Sequence, residues 1–95
     1  MIVIRSFACR HTAALFVRTP TKRFGPDLQR VGLRKLLQLD AATRLDTMNV
    51  PPANRLETLK GQWKGFHSIR INDQWRLCFH WESGNAWDVQ IVDYH

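Results

Sequence analysis

Trp75-Arg76-Leu77-Cys78-Phe79-His80-Trp81 is the stretch on which the fold turns. Large apolar side chains at 75, 77, 79 and 81 alternate with Arg76, Cys78 and His80, the period of two that sends successive side chains to opposite faces of a strand. One face is strongly apolar and needs a layer to cover it; the other carries Arg76 and His80. Similar β-branched and aromatic runs lie on either side, over 65–71 and 86–94. Asn72-Asp73 and Ser83-Gly84-Asn85 join them, and such short turn-forming links predict antiparallel hairpins.

The covering layer is found upstream. From about Asp27 to Thr43, Leu28, Val31, Leu36 and Leu39 fall near one stripe of a helix and Leu33 and Leu37 widen it. Arg30, Arg34 and Lys35 lie away from that stripe and read as a solvated face. A shorter helix fits 11–18, and the two prolines and glycine of 19–26 make a loop. Residues 2–7, Ile-Val-Ile-Arg-Ser-Phe, read as a strand. Thr43-Arg44-Leu45-Asp46 has the form of a capping box, and Pro51-Pro52 ends any helix that follows. The expected architecture is α+β: an N-terminal strand and two helices packed on a C-terminal antiparallel sheet. With 95 residues, the chain is expected to be a single domain over 1–95.

Charge narrows the partners. Fourteen Lys and Arg against 8 Asp and Glu give a formal charge of +6, a balance that draws in polyanions. The longest purely apolar run, Ala13 to Val17, is far below the roughly 20 residues of a membrane-spanning helix, so no membrane partner is expected. Arg5, Arg10 and His11 interrupt any signal-peptide core, and two cysteines without metal spacing, Cys9 and Cys78, read as reduced thiols. The expected location is the cytoplasm.

Several chemistries lack their residues. His11, His67, His80 and His95 show no metal-ligand spacing, so no metal is expected. There is no Gly-x-Ser-x-Gly elbow and no glycine-rich phosphate loop. What remains is a basic set: Arg55, Lys60, Lys64, Arg70, Arg76 and His95. From the residues alone two readings stay open. One is a solvated basic rim. The other is RNA cleavage, in which the ribose 2′-hydroxyl is the nucleophile and the protein aligns it, offsets charge and moves protons.

Four spaced motifs bear on that choice: Leu59-Lys60-Gly61, Gly65-Phe66-His67-Ser68-Ile69-Arg70, Gln74-Trp75-Arg76-Leu77-Cys78-Phe79 and Val92-Asp93-Tyr94-His95. In this order and spacing the chain resembles the HigB branch of the RelE toxin superfamily, over essentially its whole length. The resemblance implies a RelE-like, microbial-ribonuclease-type fold. It implies the toxin of a type II toxin–antitoxin system: a metal-independent, cofactor-free, ribosome-dependent endoribonuclease that cuts mRNA in the 30S A site. It also implies a HigA-like helix-turn-helix antitoxin as partner, with DNA reached only through that antitoxin.

By the same resemblance, Lys60, Arg76, Asp93, Tyr94 and His95 are the expected catalytic residues. Arg76 would hold the scissile phosphate, Lys60 offset charge and His95 act as general acid or base. Tyr94 would orient the nucleotide and Asp93 position these groups. Arg55, Lys64 and Arg70 are expected to grip RNA. Where some HigB relatives carry a histidine three residues before the lysine, this chain has Glu57. Its carboxylate is open to a basic or a structural role, and Trp63 to base stacking or core packing. Two other functions stay in view, a non-catalytic basic module acting with its antitoxin in repression and a ParE-like gyrase inhibitor.

Overall fold

The computed structural model describes residues 3–93, so Tyr94 and His95 lie outside the described residues. Two helices, α1 (Arg10–Phe16) and α2 (Pro26–Asp40), precede a sheet of four strands, β1 (Glu57–Thr58), β2 (Phe66–Arg70), β3 (Trp75–Glu82) and β4 (Asn85–Asp93). The strands follow one another in the sheet as they do in the chain, each antiparallel to the next. The α+β architecture expected from the alternation is the one found. No described helix is long and apolar enough to cross a membrane.

Leu28, Leu36 and Leu39 of α2 meet Ile69, Leu77, Phe79, Val89 and Ile91 of the sheet in the buried core. Gly32 allows this closeness, since a Cβ there would lie 3.2 Å from Ile91 Cδ1. Pro26 starts α2 at a position where its missing N–H costs nothing. Two expectations for this helix are corrected. Leu37 faces outward, 42% exposed, and Lys35 is buried rather than solvated. Lys35 Nζ donates to Asn54 Oδ1, and burial, with Arg34 nearby, pushes its pKa below 10.5. Asn54 is itself fully buried and donates through Nδ2 to the Met48 carbonyl at 2.9 Å. The charged end of Lys35 was invisible to periodicity because its partner comes from a loop.

The expected capping box at Thr43 is not made. A short 3-10 turn over Leu45–Asn49 does open there, without a side-chain cap, and Thr47 Oγ1 donates to the Arg44 carbonyl at 2.6 Å. Ser83 and Gly84, both at positive φ (53° and 75°), make the tight turn between β3 and β4.

The N-terminal segment is strand-like only at two places, parallel bridges of Ile4 with Ala86 and Phe7 with Val89. The cause is a bulge in β4. Cys78 faces Gln90 and His80 faces Trp87, so two residues of β4 oppose Phe79 alone, and Asp88 takes φ 53°. Ser6 fills the gap, accepting from the Asp88 N–H at 2.8 Å. Further along β4, the Ile91 N–H donates to the buried Thr12 Oγ1 of α1 at 3.0 Å.

Candidate functional site

The helices cover one face of the sheet, and Arg70 and Arg76 lie on the other, with Glu57 of β1 beside them. Pairing of β2 with β3 sets Ser68 opposite Cys78 and Arg70 opposite Arg76. Two arginines facing each other across strands repel. Each is met by its own acidic neighbour: Arg70 pairs with Asp73 in the turn, and Arg76 Nη2 lies 3.8 Å from Glu57 Oε1 on β1.

Arg76 is only 6% exposed, against the open sheet face that the alternation suggested. The segment after α2 folds over that face and supplies acceptors. Arg76 Nε donates to Ser68 Oγ at 2.9 Å, while Nη2 donates to the Arg55 carbonyl at 2.7 Å and the Ser68 carbonyl at 3.3 Å. Arg55 offers that carbonyl from a left-handed backbone (φ 48°), directly after the buried Asn54. The planar guanidinium is thus fixed in orientation by the fold, which suits it to meet carboxylate or phosphate oxygens.

Two clefts adjoin along β3. A polar one of about 300 Å³ is lined by Arg55, Glu57, Arg70, Asn72, Asp73 and Arg76. A more apolar one of about 330 Å³ is lined by Leu59, Lys60, Trp63, Cys78, Val92 and Asp93. Arg76 and Cys78, one in each lining, are two residues apart on one strand, about 7 Å. The structure therefore brings Arg55, Glu57, Arg70 and Arg76 together, and Lys60, Trp63 and Asp93 beside them. Lys64 lines neither cleft. A larger cavity, about 410 Å³ between α1 and the start of α2, contains none of the expected residues.

Asp93, the last residue described, accepts from Gln74 Nε2 at 3.0 Å. Lys60 precedes a one-turn 3-10 helix, Gly61–Trp63, whose first residue has φ 66°. Trp63 is 38% exposed, so the core reading of this side chain is set aside.

Two residues of the site, Ser68 and Cys78, have no role in the sequence reading. Ser68 holds Arg76, and only the hairpin register would have revealed it. Cys78 lies at the floor between the clefts, and burial pushes its thiol up to about 11 despite the opposing charge of Arg76. His67 points to the helix side, with Nδ1 3.1 Å from Thr58 Oγ1, and burial followed by the nearby His80 lowers its pKa. Among the described residues no three His, Cys, Asp or Glu side chains are grouped so as to hold a metal ion.

A family model described as the RelE-like toxin of type II toxin–antitoxin system HigB matches residues 6–95. The endoribonuclease HigB of Proteus vulgaris is 31% identical over 94 residues, which cover 98% of this chain and 100% of that protein. Toxin HigB-1 of Vibrio cholerae is 51% identical over 58 residues, 61% of each, so the match spans about three-fifths of that relative. Among solved structures, a YafQ variant from E. coli aligns over 98% of this chain and 93% of its own, with a TM-score of 0.60 at 16% identity. The YoeB–YefM toxin–antitoxin complex of Staphylococcus aureus gives 0.59 at 18%, covering 100% and 98% of the two chains. At such identities these two structures share the fold.

Proposed function

Because this chain belongs to the RelE-like HigB toxins of type II toxin–antitoxin systems, we propose that it is a metal-independent endoribonuclease cutting mRNA in the ribosomal A site. The whole chain acts as one toxin domain in the cytoplasm, and a helix-turn-helix antitoxin neutralises it. The observation that supports the reading best is the pre-oriented Arg76 at the join of the two clefts.

In this mechanism the 2′-oxygen forms a bond to phosphorus, the bond to the 5′-oxygen breaks, and a 2′,3′-cyclic phosphate and a 5′-hydroxyl result. Arg76, held in place by Ser68 and the Arg55 carbonyl, stabilises charge on the non-bridging oxygens as it develops. Lys60, across the join, offsets the same charge. Proton transfer is assigned to His95, nucleotide orientation to Tyr94 and positioning to Asp93. Arg55, Arg70 and Lys64 grip flanking phosphates. Glu57 acts as counter-ion to Arg76 and gives way when the phosphate enters, a role that its 3.8 Å approach supports.

Induced expression followed by mapping of mRNA 5′ ends tests this. Cuts within codons of translated messages are the expected result. DNA damage signalling without such cuts would favour a gyrase inhibitor, and neither outcome would leave a non-catalytic module. Deleting His95 should abolish growth inhibition while antitoxin binding persists; full toxicity of that folded variant would remove the terminal residues from the site.

A further inference from the structure

A line of aromatic rings crosses the cleft-bearing face of the sheet and takes no part in the chemistry above. Strand register sets Phe66 opposite His80 and His80 opposite Trp87, so residues from three adjacent strands share one face and one line. Trp63 extends the line beyond β2. Its indole stands perpendicular to the Phe66 ring at 5.2 Å between centroids, and Phe66 lies 5.4 Å from His80. Gly65 makes room for the arrangement: a Cβ there would sit 2.6 Å from His80 Nε2, so the imidazole rests against bare backbone.

The ends of this row are exposed. Trp63 is 38% and Trp87 39% accessible, whereas Trp75 and Trp81 pack against the core. Core packing explains the second pair and not the first. Large aromatic surface left in water on an open face marks a contact surface. The charge at its Trp63 end points to the kind of ligand: Lys60 and Lys64 flank Trp63, both exposed, in a chain of net charge +6, while the Trp87 end carries one acidic neighbour, Asp88. Stacking rings beside cations match a polyanion that carries flat rings, which is unpaired RNA.

We infer that Trp63, Phe66, His80 and Trp87 form a nucleobase-stacking platform for the single-stranded RNA that flanks the cut. That this RNA flanks a cut rests on the proposed nuclease reading; base stacking itself requires no cleavage. Arg76 and His80 are four residues apart on β3, about 13 Å, so the base held on the row belongs to a nucleotide beyond the one being cut. Stacking tolerates any base, so the platform adds grip on the message without choosing its sequence.

Two oligoribonucleotides of equal length and charge provide the test, one carrying bases and one abasic throughout, each titrated into the purified chain while tryptophan fluorescence is followed. The base-bearing strand should quench the signal and bind about tenfold more tightly. Trp87→Leu keeps apolar bulk without the indole and should bring the ratio towards one, and Trp87→Phe should restore most of it. Equal affinity for the two strands overturns the platform, as does an unchanged ratio in both Trp63→Leu and Trp87→Leu. Loss of antitoxin co-purification by Trp87→Leu with the RNA preference intact also overturns it, because the row is then a protein surface. Mapping of mRNA cuts with the same chain separates the two readings. Stacking without cutting removes only the nuclease, and cutting without base preference removes only the platform.

Discussion

Lys35 and Asn54, 19 residues apart, are joined by a buried hydrogen bond between the long helix and the loop that carries the first Arg76 acceptor. The next residue, Arg55, presents its carbonyl to the guanidinium, so the helix reaches the site through Asn54, which Lys35 and, at 3.3 Å, Gln38 both hold.

Lys35→Met keeps length and removes the donor, leaving Asn54 Oδ1 buried and under-satisfied. The expected cost is about 1–3 kcal/mol in urea unfolding, with weaker RNA cleavage as the Arg55 carbonyl loosens. The pH dependence has a definite sign. The folded chain releases the Lys35 proton below 10.5 while the unfolded chain still holds it, so this residue makes stability rise as pH climbs through that interval. The difference between wild type and Lys35→Met should shift accordingly; a difference that is flat with pH would mean that the amine is not desolvated.

Ser68→Ala removes the acceptor of Arg76 Nε and should cost about 1–3 kcal/mol, since a buried charged donor loses its partner. Cleavage of a translated message should fall about tenfold or more, with the antitoxin still bound. Unaltered cleavage would show that the serine does not orient the guanidinium.

Replacing Arg76 by Ala should reduce cleavage far more than replacing Lys64 by Ala, because Lys64 lies outside both clefts. Rates measured with equal amounts of folded protein check this, and the reverse order would move the phosphate grip elsewhere.

Gly65→Ala combines a φ of +90° with a Cβ pressed on His80, so it should destabilise by more than the roughly 1–2 kcal/mol of a left-handed alanine. In the double variant with His80→Ala the clash is gone and only the backbone penalty should remain. A thermodynamic cycle measured by denaturation reads this coupling directly, and strict additivity would argue against the contact.

The two thiols should differ in reactivity. Burial opposes ionisation of Cys9, yet hydrogen bonds from the Thr12 N–H and hydroxyl and the His11 N–H, with the charge of Arg23, bring its pKa below 9.0. Cys78 is held near 11 by burial. Iodoacetamide at pH 8 should therefore modify Cys9 first and Cys78 only on unfolding. Between pH 9 and 11 the unfolded chain loses the Cys78 proton while the folded chain keeps it, so this thiol makes stability fall with rising pH, and Cys78→Ala should lack that decline.

Periodicity carried the reading of 66–93 and of α2, because a two-residue and a 3.6-residue repeat each leave a long trace in the sequence. It failed where structure depends on what is placed on top. Alternation assigned Arg76 and Cys78 to the face opposite the core, but not the loop that buries them. β1, two residues long, has no repeat to detect, and the N-terminal strand was reduced to two bridges by a bulge whose signal, Asp88 at positive φ, is conformational. Lys60, Arg76 and Asp93 were singled out by motif, and they line adjoining clefts. Ser68 leaves no such trace, because a lone serine in a strand looks the same whether or not an arginine leans on it.

The way β4 is finished bears on self-association. An exposed strand border is a template on which further copies can add. Here residues 3–8 occupy most of the outer border of β4 through backbone bonds, and Thr12 takes the Ile91 N–H beyond them. Among the described residues the opposite border remains for such growth, where β1 offers two residues and one of them is the charged Glu57. Even with its tryptophans in water, the chain thus gives little foothold to fibril-like stacking, and crowding should drive contacts through side chains before it drives them through backbone.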